Sequence, residues 1–298
     1  MIPEIPNRFD PSDFPQFSSG MGRVLIHVSE TDSTNRLAKS FVQAAWEATP
    51  QRVAPAQAAW EVAPQRVAPA LDQSASGLDG TVFLADSQTA GRGRLNRTWN
   101  ASAGQNLLLT ALVHIPETTP DNGLARGLLP LATALAVAET LGAYVPTSSV
   151  AIKWPNDVLL NGLKSSGILV EAGPGNVFLV GIGLNVNESD FPDSLSETAT
   201  SLLLQTGQRI DRMEIYSRLM SALTKYVTLL KSEPSALLGA YRAQVSGMNR
   251  PVRLNTGSAI VEGTMAGIHS DGGLIVESNA VQKVYYAGDV TLSPSSMV

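Results

Sequence analysis

The chain has 298 residues, of which 44% are hydrophobic and 16% are charged, and its formal net charge is −5. This length exceeds the roughly 100–200 residues of a typical domain, which predicts one large domain and a smaller one. The acidic balance argues against binding of bulk nucleic acid, and the absence of cysteine excludes disulfides, thiolate metal ligands and thiol catalysis.

The N-terminal segment carries no targeting signal that we recognise. Residues 1–20 are rich in Pro, Phe, Asp and Ser, without the basic start and apolar stretch of a signal peptide. We find no run of about 18 apolar residues that predicts a membrane span. We therefore expect a cytoplasmic protein with no membrane partner.

The first predicted helix begins at a polar segment. Ser33 or Thr34 is a suitable N-cap for a helix whose apolar residues start at Leu37. Behind it, residues 43–56 and 57–70 are tandem copies that differ at two positions. Two copies are too few for a solenoid. We interpret the repeat as a duplication in a tolerant surface loop and expect it to add nothing to catalysis.

Strands and one buried helix are predicted after the repeat. The predicted strands span residues 81–85, 106–113, 150–153, 157–160, 166–170 and 177–187. An Ala/Leu-rich segment at 127–141, apolar on nearly all sides, predicts a helix in the core. Gly162 predicts a tight turn, and therefore a hairpin, between two of the strands.

The final part of the chain changes from helices to short strands. Asp211, followed three residues later by Glu214, predicts the start of a long helix, and a second helix is expected around 235–245. Past Pro251 the predicted strands span residues 252–254, 259–268, 273–277 and 283–286. This change predicts a small C-terminal domain that begins near Asn249.

The stretch Gly91–Trp99 is the strongest candidate for a binding site. Its three arginines, Arg92, Arg94 and Arg97, carry planar charged groups that suit bidentate contact with phosphate or carboxylate oxygens. Trp99 offers a flat face on which an adenine can stack. The stretch is a basic exception in an acidic chain, which predicts an anion site. Alone, it equally fits a solvated loop or a nucleic-acid patch.

Four further blocks accompany this stretch in a characteristic order. They are Thr31–Asn35, Lys153–Asp157, Lys164–Glu171 and Gly181–Asn187. In this order the blocks resemble the bacterial biotin–protein ligases, also called biotin–acetyl-CoA-carboxylase ligases or holocarboxylase synthetases. The resemblance extends from about Val28 to the C-terminus.

The resemblance implies an α+β fold with two domains. The larger domain would be a class II synthetase-like core, with a central mixed β-sheet flanked by helices, and the smaller an SH3-like β-barrel. The implied division is an N-terminal extension at 1–27, a catalytic domain at 28–248 with the repeat at 43–70 as a loop insert, and the barrel at 249–298.

The resemblance also implies an activity. A ligase of this family would use ATP and Mg²⁺ to convert biotin to biotinyl-5′-AMP. It would then transfer biotin to a specific lysine of a biotin carboxyl carrier protein or domain of a carboxylase. A homodimer is compatible with this family. A DNA partner is not expected, because only 32 residues precede Ser33.

The implied site residues fall into overlapping groups. Those expected to hold biotin are Ser33, Thr34, Asn35, Gln88, Arg92, Gly93, Arg94 and Lys164. Those expected to hold ATP or the adenylate are Arg92, Arg94, Arg97, Trp99, Asn156, Lys164 and Asn185. Lys164 and Arg94 are the implied catalytic residues, and Asp157 is the implied Mg²⁺ ligand.

Without the resemblance, several of these residues have ordinary structural interpretations. Ser33 and Thr34 would be a plain helix cap, Asp157 part of a turn after a proline, and Lys164 an exposed lysine in a hairpin. One position also departs from the family pattern, since Asn96 stands where the arginine loop usually has a third glycine. Asparagine tolerates a positive φ well, so we expect the turn to survive.

Three other functions compete with the ligase. A lipoate ligase on the same core is disfavoured by the Lys153–Asp157 block and the small C-terminal domain. A biotin-responsive DNA-binding repressor would need a winged-helix domain ahead of Thr31. A protein that only sequesters biotin would not need the arginine loop or Lys164.

Overall fold

The computed structural model describes residues 14–15, 17–48, 74–119 and 121–292. Most of the tandem repeat predicted at 43–70, and most of the extension predicted at 1–27, lie outside the described residues. Residues 43–48 are described, and they correct one prediction. They form the last turns of a helix instead of a loop, because Ala45 is buried in the core and Trp46 packs against Gly175.

In the described part of the chain, seven strands form one large mixed sheet. The strands are β1 (Val24–Thr31), β2 (Thr81–Gln88), β3 (Leu107–His114), β4 (Val150–Lys153), β5 (Asp157–Leu160), β6 (Leu163–Ala172) and β7 (Val177–Leu184). Their order is β1-β2-β3-β7-β6-β5-β4. Strands β1 and β2 are parallel, and the other neighbours are antiparallel. The predicted central mixed sheet is therefore confirmed.

The predicted hairpin after β5 is also present. Asn161 and Gly162 connect β5 to β6 with φ values of 48° and 82°. Positive φ at both central residues is the conformation that matches the twist of a two-residue hairpin, and an Asn-Gly pair adopts it readily. Strand β1 was not predicted.

Helices cover both faces of this sheet. They are α1 (Thr34–Ala48), α2 (Ala75–Leu78), α3 (Asn122–Leu141), α4 (Asp193–Ser196), α5 (Leu202–Thr206), α6 (Arg212–Ser232) and α7 (Pro234–Gln244). Helix α1 packs on one face, where Phe83 and Leu112 point, and α3 and α6 pack on the other, where Leu84 and Leu109 point. Alternate strand residues face opposite sides, so both faces of β2 and β3 are buried.

Helix α3 is the central helix of the core. Among the described residues it is the one helix that is long and apolar enough to cross a membrane. However, 72% of its apolar window is buried inside the protein. It therefore corresponds to the core helix predicted at 127–141.

A second, smaller sheet lies at the C-terminal end. Between residues 251 and 292 its strands are β8 (Pro251–Asn255), β9 (Ile260–Ile268), β10 (Leu274–Ser278), β11 (Val281–Tyr285) and β12 (Asp289–Leu292). They pair antiparallel in the order β11-β10-β9-β8-β12. The SH3-like description and a domain boundary near Asn249 remain predictions.

The two sheets share one hydrophobic core. Leu254 and Met265 of the small sheet belong to the same buried cluster as Leu219 of α6 and Tyr241 of α7. Polar contacts reinforce this interface, since the buried Trp154 Nε1 donates to the Gly272 carbonyl at 2.9 Å. The small sheet is thus held firmly against the large domain, next to the ends of β4 and β5.

Candidate functional site

A cavity of about 760 Å³ opens on the face of the large sheet beyond the N-terminal end of α1. All thirteen site residues predicted from the sequence line it. They are Ser33, Thr34, Asn35, Gln88, Arg92, Gly93, Arg94, Arg97, Trp99, Asn156, Asp157, Lys164 and Asn185. Residues from well-separated parts of the chain thus converge on one cavity.

The bottom of the cavity is a bare patch of β-sheet that we call the glycine floor (Gly167, Gly181 and Gly183). Gly167 and Gly183 are cross-strand partners in β6 and β7, so they face the same side. A Cβ added to Gly181 would lie 2.2 Å from Asn35 Oδ1, and one added to Gly183 would lie 2.5 Å from Trp99 Cε2. The floor must therefore lack side chains for Asn35 and Trp99 to occupy their positions.

One end of the floor is bordered by four buried residues that we call the polar cluster (Ser33, Thr34, Asn35 and Thr110). Each is at most 4% exposed. The Thr34 amide donates to Gln88 Oε1 at 2.7 Å. The first backbone amides of a helix have no acceptor within the helix, and here the Gln88 side chain provides one for α1. Thr110 Oγ1 lies 2.9 Å from Thr34 Oγ1 and 2.6 Å from Asn35 Oδ1.

The arginine loop folds back on itself above the floor. The Gly93 amide donates to the Arg97 carbonyl at 2.7 Å, and the Trp99 amide donates to the Gly91 carbonyl at 2.9 Å. Asn96 has a φ of 57°, which confirms that asparagine accommodates the turn here. Leu95 has a φ of 55° and is 59% exposed. A left-handed conformation is uncommon for leucine, and the prediction did not include it.

Trp99 packs directly against the glycine floor. Because of this contact, a Cβ added to Gly167 would approach Trp99 Cζ3 to 2.8 Å. The Lys164 Nζ sits 5.6 Å from the centroid of the indole ring, within the range of a cation–π contact. The indole and the Lys164 ammonium group therefore both lie against the glycine floor.

Lys164 is held by a carboxylate and by its own backbone. Its Nζ lies 2.7 Å from Asp157 Oδ1. The Lys164 amide donates to the Thr198 carbonyl at 2.8 Å, and the Thr200 amide donates to the Lys164 carbonyl at 2.9 Å. The lysine predicted to be catalytic is therefore fixed at both its main chain and its ammonium group.

Arg94 reaches across the cavity to the segment that precedes β5. Its Nη1 donates to Asn156 Oδ1 at 2.8 Å, and Asn156 Nδ2 donates to the Ile168 carbonyl at 3.1 Å. Burial lowers the pKa of the Arg94 guanidinium, while the carboxylates of Asp157 and Asp289 act in the opposite direction. Arginine nevertheless stays charged in proteins, so Arg94 contributes a fixed positive charge.

The small sheet contributes a carboxylate that the sequence analysis missed. Asp289, at the start of β12, lies 2.9 Å from Arg97 Nη2 and 2.9 Å from Lys153 Nζ. Burial alone raises the pKa of the Asp289 carboxyl, but its bonds to Lys153 and Arg97 outweigh burial and hold the pKa below its ordinary value. Lys153 belonged to a recognised block, whereas no local pattern marked Asp289.

We call the cationic side of the cavity the basic rim (Arg92, Arg94, Arg97, Lys153 and Lys164). Asn185 lies nearby, with its Nδ2 donating to the Thr200 carbonyl at 3.0 Å. The arrangement combines a neutral polar end with a cationic end. Such a cavity suits an anionic small molecule with a neutral, hydrogen-bonding head.

One residue of the cavity lining, Asp157, has the chemistry of a magnesium ligand. Within the described residues no group of three or more His, Cys, Asp or Glu side chains is arranged to hold a metal. Mg²⁺, however, is usually bound by one or two carboxylates together with substrate phosphates. Asp157 is a carboxylate in the cavity lining, so its chemistry fits an ion that arrives with a nucleotide.

The fold and the cavity define an α+β protein with a cavity that suits an organic anion, and comparison with known proteins narrows this class of protein. The family model described as "Biotin/lipoate A/B protein ligase family" matches residues 64–187. The model described as "Biotin protein ligase C terminal domain" matches residues 247–293. The chain belongs to the biotin/lipoate A/B protein ligase family, as the relatives below also indicate.

Curated relatives carry ligase names. The biotin--[acetyl-CoA-carboxylase] ligase of Paracoccus denitrificans is 37% identical over 72% of this chain and 92% of its own length. The protein of that name in Mycobacterium tuberculosis is 36% identical over 74% and 82%. The bifunctional ligase/repressor BirA of Bacillus subtilis is 34% identical, and the match spans 66% of its length.

Solved structures show the same fold. A biotin protein ligase from Aquifex aeolicus in complex with biotin and ATP superposes with a TM-score of 0.67 and 27% identity. That match covers 91% of this chain and 99% of the other. A biotin protein ligase from Leishmania major in complex with biotinyl-5-AMP gives a TM-score of 0.54 at 19% identity, a likeness of fold alone.

Proposed function

We propose that this protein is a biotin–protein ligase. It activates biotin with ATP to biotinyl-5′-AMP and transfers the biotinyl group to a lysine of a biotin carboxyl carrier domain. The observation that carries the proposal is the convergence of thirteen residues, predicted from the family pattern, on one cavity with a neutral and a cationic end.

The first half-reaction requires two anions to meet. The biotin carboxylate must approach the α-phosphate of ATP, and the two repel each other strongly where water is excluded. Lys164 and Arg94 supply fixed positive charges on the same side of the cavity, and fixed cations of this kind stabilise charge that develops in a transition state. Biotin displaces pyrophosphate, and the mixed anhydride remains bound.

The polar cluster is our proposed site for the head group of biotin. A ureido ring is neutral and both donates and accepts hydrogen bonds. Ser33, Thr34 and Asn35 are buried at this end of the cavity and offer hydroxyl and amide groups. Gln88 borders the same end, and Arg92 of the basic rim reaches it through Glu171. The cavity thus has room for the head of biotin away from the charges that act on its carboxylate.

The nucleotide belongs, in this proposal, at the basic rim. Arg97 would contact the phosphates, and Trp99 and Asn185 would border the adenine and ribose. Gly93 leaves space for the loop to approach the adenylate. In the second half-reaction the amine of the carrier lysine attacks the anhydride carbonyl, and AMP leaves with the electron pair of the broken C–O bond.

Magnesium would be held by Asp157 together with the phosphates of ATP. The ion supplies positive charge that offsets the phosphates. Asp157 is also the partner of Lys164, so the carboxylate would serve the metal and the lysine at once.

The partner follows from the proposed activity. Relatives named for acetyl-CoA carboxylase imply a carboxylase carrier domain as the acceptor. We propose a cytoplasmic location, where ATP and such carriers occur together. A homodimer, and the lack of a DNA partner, stay predictions.

Mass spectrometry of the reaction products tests the proposal. Purified protein is incubated with biotin, ATP and Mg²⁺, with and without a biotin carboxyl carrier domain. We expect biotinyl-AMP in the absence of the carrier and biotin on a single carrier lysine in its presence. Lys164→Ala should lose transfer by about 100-fold or more.

Lys225→Ala is the matched control, because this lysine forms an ion pair with Glu139 on the surface, at 2.6 Å. It should react like the wild type. Lipoyl transfer in place of biotinyl transfer would favour the lipoate ligase. Binding of biotin with no adenylate would favour a sequestering protein.

A further inference from the structure

Glu171 contacts two cavity residues without lining the cavity itself. It lies in β6, on the same face as the glycine floor. Its Oε2 accepts a hydrogen bond from Asn35 Nδ2 at 2.9 Å, and its Oε1 lies 3.6 Å from Arg92 Nη1. The two carboxylate oxygens therefore serve two different neighbours, one buried and one exposed.

These contacts complete a continuous polar path beneath the cavity. In order, the path runs through Arg92, Glu171, Asn35, Thr110, Thr34 and Gln88. It begins and ends at the arginine loop, because Gln88 is the last residue of β2 and the loop follows directly. The members come from four elements and the loop, so the path links the polar cluster to the loop.

Glu171 determines which way the Asn35 amide faces. A carboxylate only accepts hydrogen bonds, so the Asn35 Nδ2 must point towards it. The same nitrogen lies 3.4 Å from the Leu169 carbonyl, a second acceptor on β6. The Asn35 Oδ1 consequently lies over Gly181, at the floor of the cavity.

The Asn35 atom that faces the cavity is therefore a hydrogen-bond acceptor, Oδ1. Its carbonyl oxygen takes one hydrogen bond from Thr110 Oγ1 at 2.6 Å and has capacity for a second. A ligand head that donates an N–H can supply that bond. A head without a donor, such as a dithiolane ring, would cover the oxygen and leave its second lone pair without a hydrogen bond, which is unfavourable.

We propose that Glu171 is a specificity-determining residue that acts through Asn35. It holds the Asn35 oxygen towards the cavity and thereby selects acids whose head group donates N–H hydrogen bonds. The inference rests on the proposed function and adds to it a reason why a ureido ring is accepted and a dithiolane is not. Arg92 is positioned by the same carboxylate.

Two substitutions separate these effects. Glu171→Gln keeps an acceptor for Asn35 but removes the charge that faces Arg92. Glu171→Leu removes the acceptor as well. The Arg92 side chain is 40% exposed, and an ion pair at such a position contributes little. Specificity should therefore survive in Glu171→Gln and fall in Glu171→Leu.

The experiment is isothermal titration of the full chain with biotin, lipoic acid and ATP, each alone. In Glu171→Leu we expect biotin affinity to fall about tenfold, and with it the preference for biotin over lipoic acid. ATP affinity should stay within about threefold of the wild type. Glu171→Gln should keep biotin affinity within about threefold.

Glu139→Leu is the matched control, because its carboxylate also accepts from two side chains, those of Lys225 and Tyr226, away from the cavity. It should leave the preference unchanged. Unchanged biotin affinity in Glu171→Leu, or an equal loss for biotin, lipoic acid and ATP, would overturn the inference. So would a loss in Glu171→Gln as large as that in Glu171→Leu.

The proposed function is judged separately, by adenylate formation in the wild type. A wild type that forms biotinyl-AMP while the Glu171 variants keep their preference rejects only the inference. A wild type that binds lipoic acid more tightly than biotin rejects both.

Discussion

The polar cluster and the basic rim border the same cavity but are built in different ways. Asn35 and Thr110 are 3% and 0% exposed, and neutral hydrogen bonds fix them. Arg97 is 60% exposed, and its carboxylate partner Asp289 comes from another sheet. Buried hydrogen bonds are costly to break, whereas exposed ion pairs are weak and screened by salt. In our proposal, recognition of the head group is therefore set by folding, whereas the exposed Arg97 adds its charge through a contact that can still adjust.

Gly181→Ala should damage the polar cluster most. The added Cβ would lie 2.2 Å from Asn35 Oδ1, so Asn35 must leave its position. We expect biotin affinity to fall by about 100-fold and the free energy of unfolding by about 1–3 kcal/mol. Calorimetric titration and urea denaturation measure the two effects.

Gly239→Ala provides the control for Gly181→Ala. No atom lies within 4 Å of a Cβ added there, in the interior of α7. Alanine is the better helix former, so this variant should be more stable by about 0.5–1 kcal/mol. If Gly181→Ala binds biotin normally, the glycine floor does not determine the position of Asn35.

Arg94→Ala should affect the basic rim alone. Removal of the guanidinium takes a positive charge from the proposed site of the adenylate but leaves the polar cluster intact. We expect biotinyl-AMP to escape about tenfold faster, with biotin affinity within about threefold of the wild type. Release of labelled adenylate from a preformed complex measures the escape rate.

Arg218→Ala is a comparable change at a surface ion pair with Glu214. It should retain the adenylate as well as the wild type does. An unchanged escape rate in Arg94→Ala would argue against our assignment of this arginine.

Gly183→Ala tests the part of the cavity between the polar cluster and the basic rim. Its Cβ would lie 2.5 Å from Trp99 Cε2 and displace the indole from the floor. We expect the KM for ATP to rise several-fold, up to about tenfold, with a smaller change for biotin. Steady-state kinetics and the emission of the tryptophan report the displacement.

The matched control is Gly267→Ala in β9, where the nearest atom to an added Cβ is 3.5 Å away. Its kinetics should not change. A larger effect of Gly183→Ala on biotin than on ATP would contradict the proposed division of the cavity.

Asp289→Asn should have the smallest effect, and one that depends on pH. The folded-state pKa of Asp289 is below its ordinary value of 3.8. Its ion pairs therefore stabilise the protein above that pH and are lost as the pH falls through the lower, folded-state value. The variant should be less stable by about 1 kcal/mol or less at pH 7. The difference should vanish in strongly acidic solution.

Denaturation of both proteins between pH 7 and pH 3 checks the sign. Glu262→Asn, which removes an exposed partner of Arg253, should show little change. A deficit in Asp289→Asn that grows towards low pH would show that the direction of the pKa shift is wrong.

Much of the fold is predictable because apolar runs mark the buried strands. The predicted segments at 81–85 and 157–160 correspond to β2 and β5. Strand β1 was missed because His27, which packs beside Asp86, interrupts its apolar pattern. Strand β12 is short and begins with a charged residue. The order of the strands depends on long-range pairing, which local periodicity does not contain.

The predicted site residues converge on one cavity for a different reason. Blocks such as Thr31–Asn35 and Lys164–Glu171 carry their pattern locally, and the fold brings them to one face of the sheet. Partners such as Thr110 and Asp289 become neighbours only in the folded chain. Their residue types are common, so only the structure reveals that Thr110 contacts Asn35 and that Asp289 contacts Arg97.

Because the two sheets share one core, parts of this protein cannot be exchanged freely with those of its relatives. The two family models match residues 64–187 and 247–293 as separate units. Yet Leu219, Leu223 and Tyr241, from the stretch between those units, are buried in the core that joins them. A chimera that exchanges only the matched units between relatives would combine faces that have not evolved together. An exchange of the C-terminal sheet would therefore need matching changes in the helices that share its core.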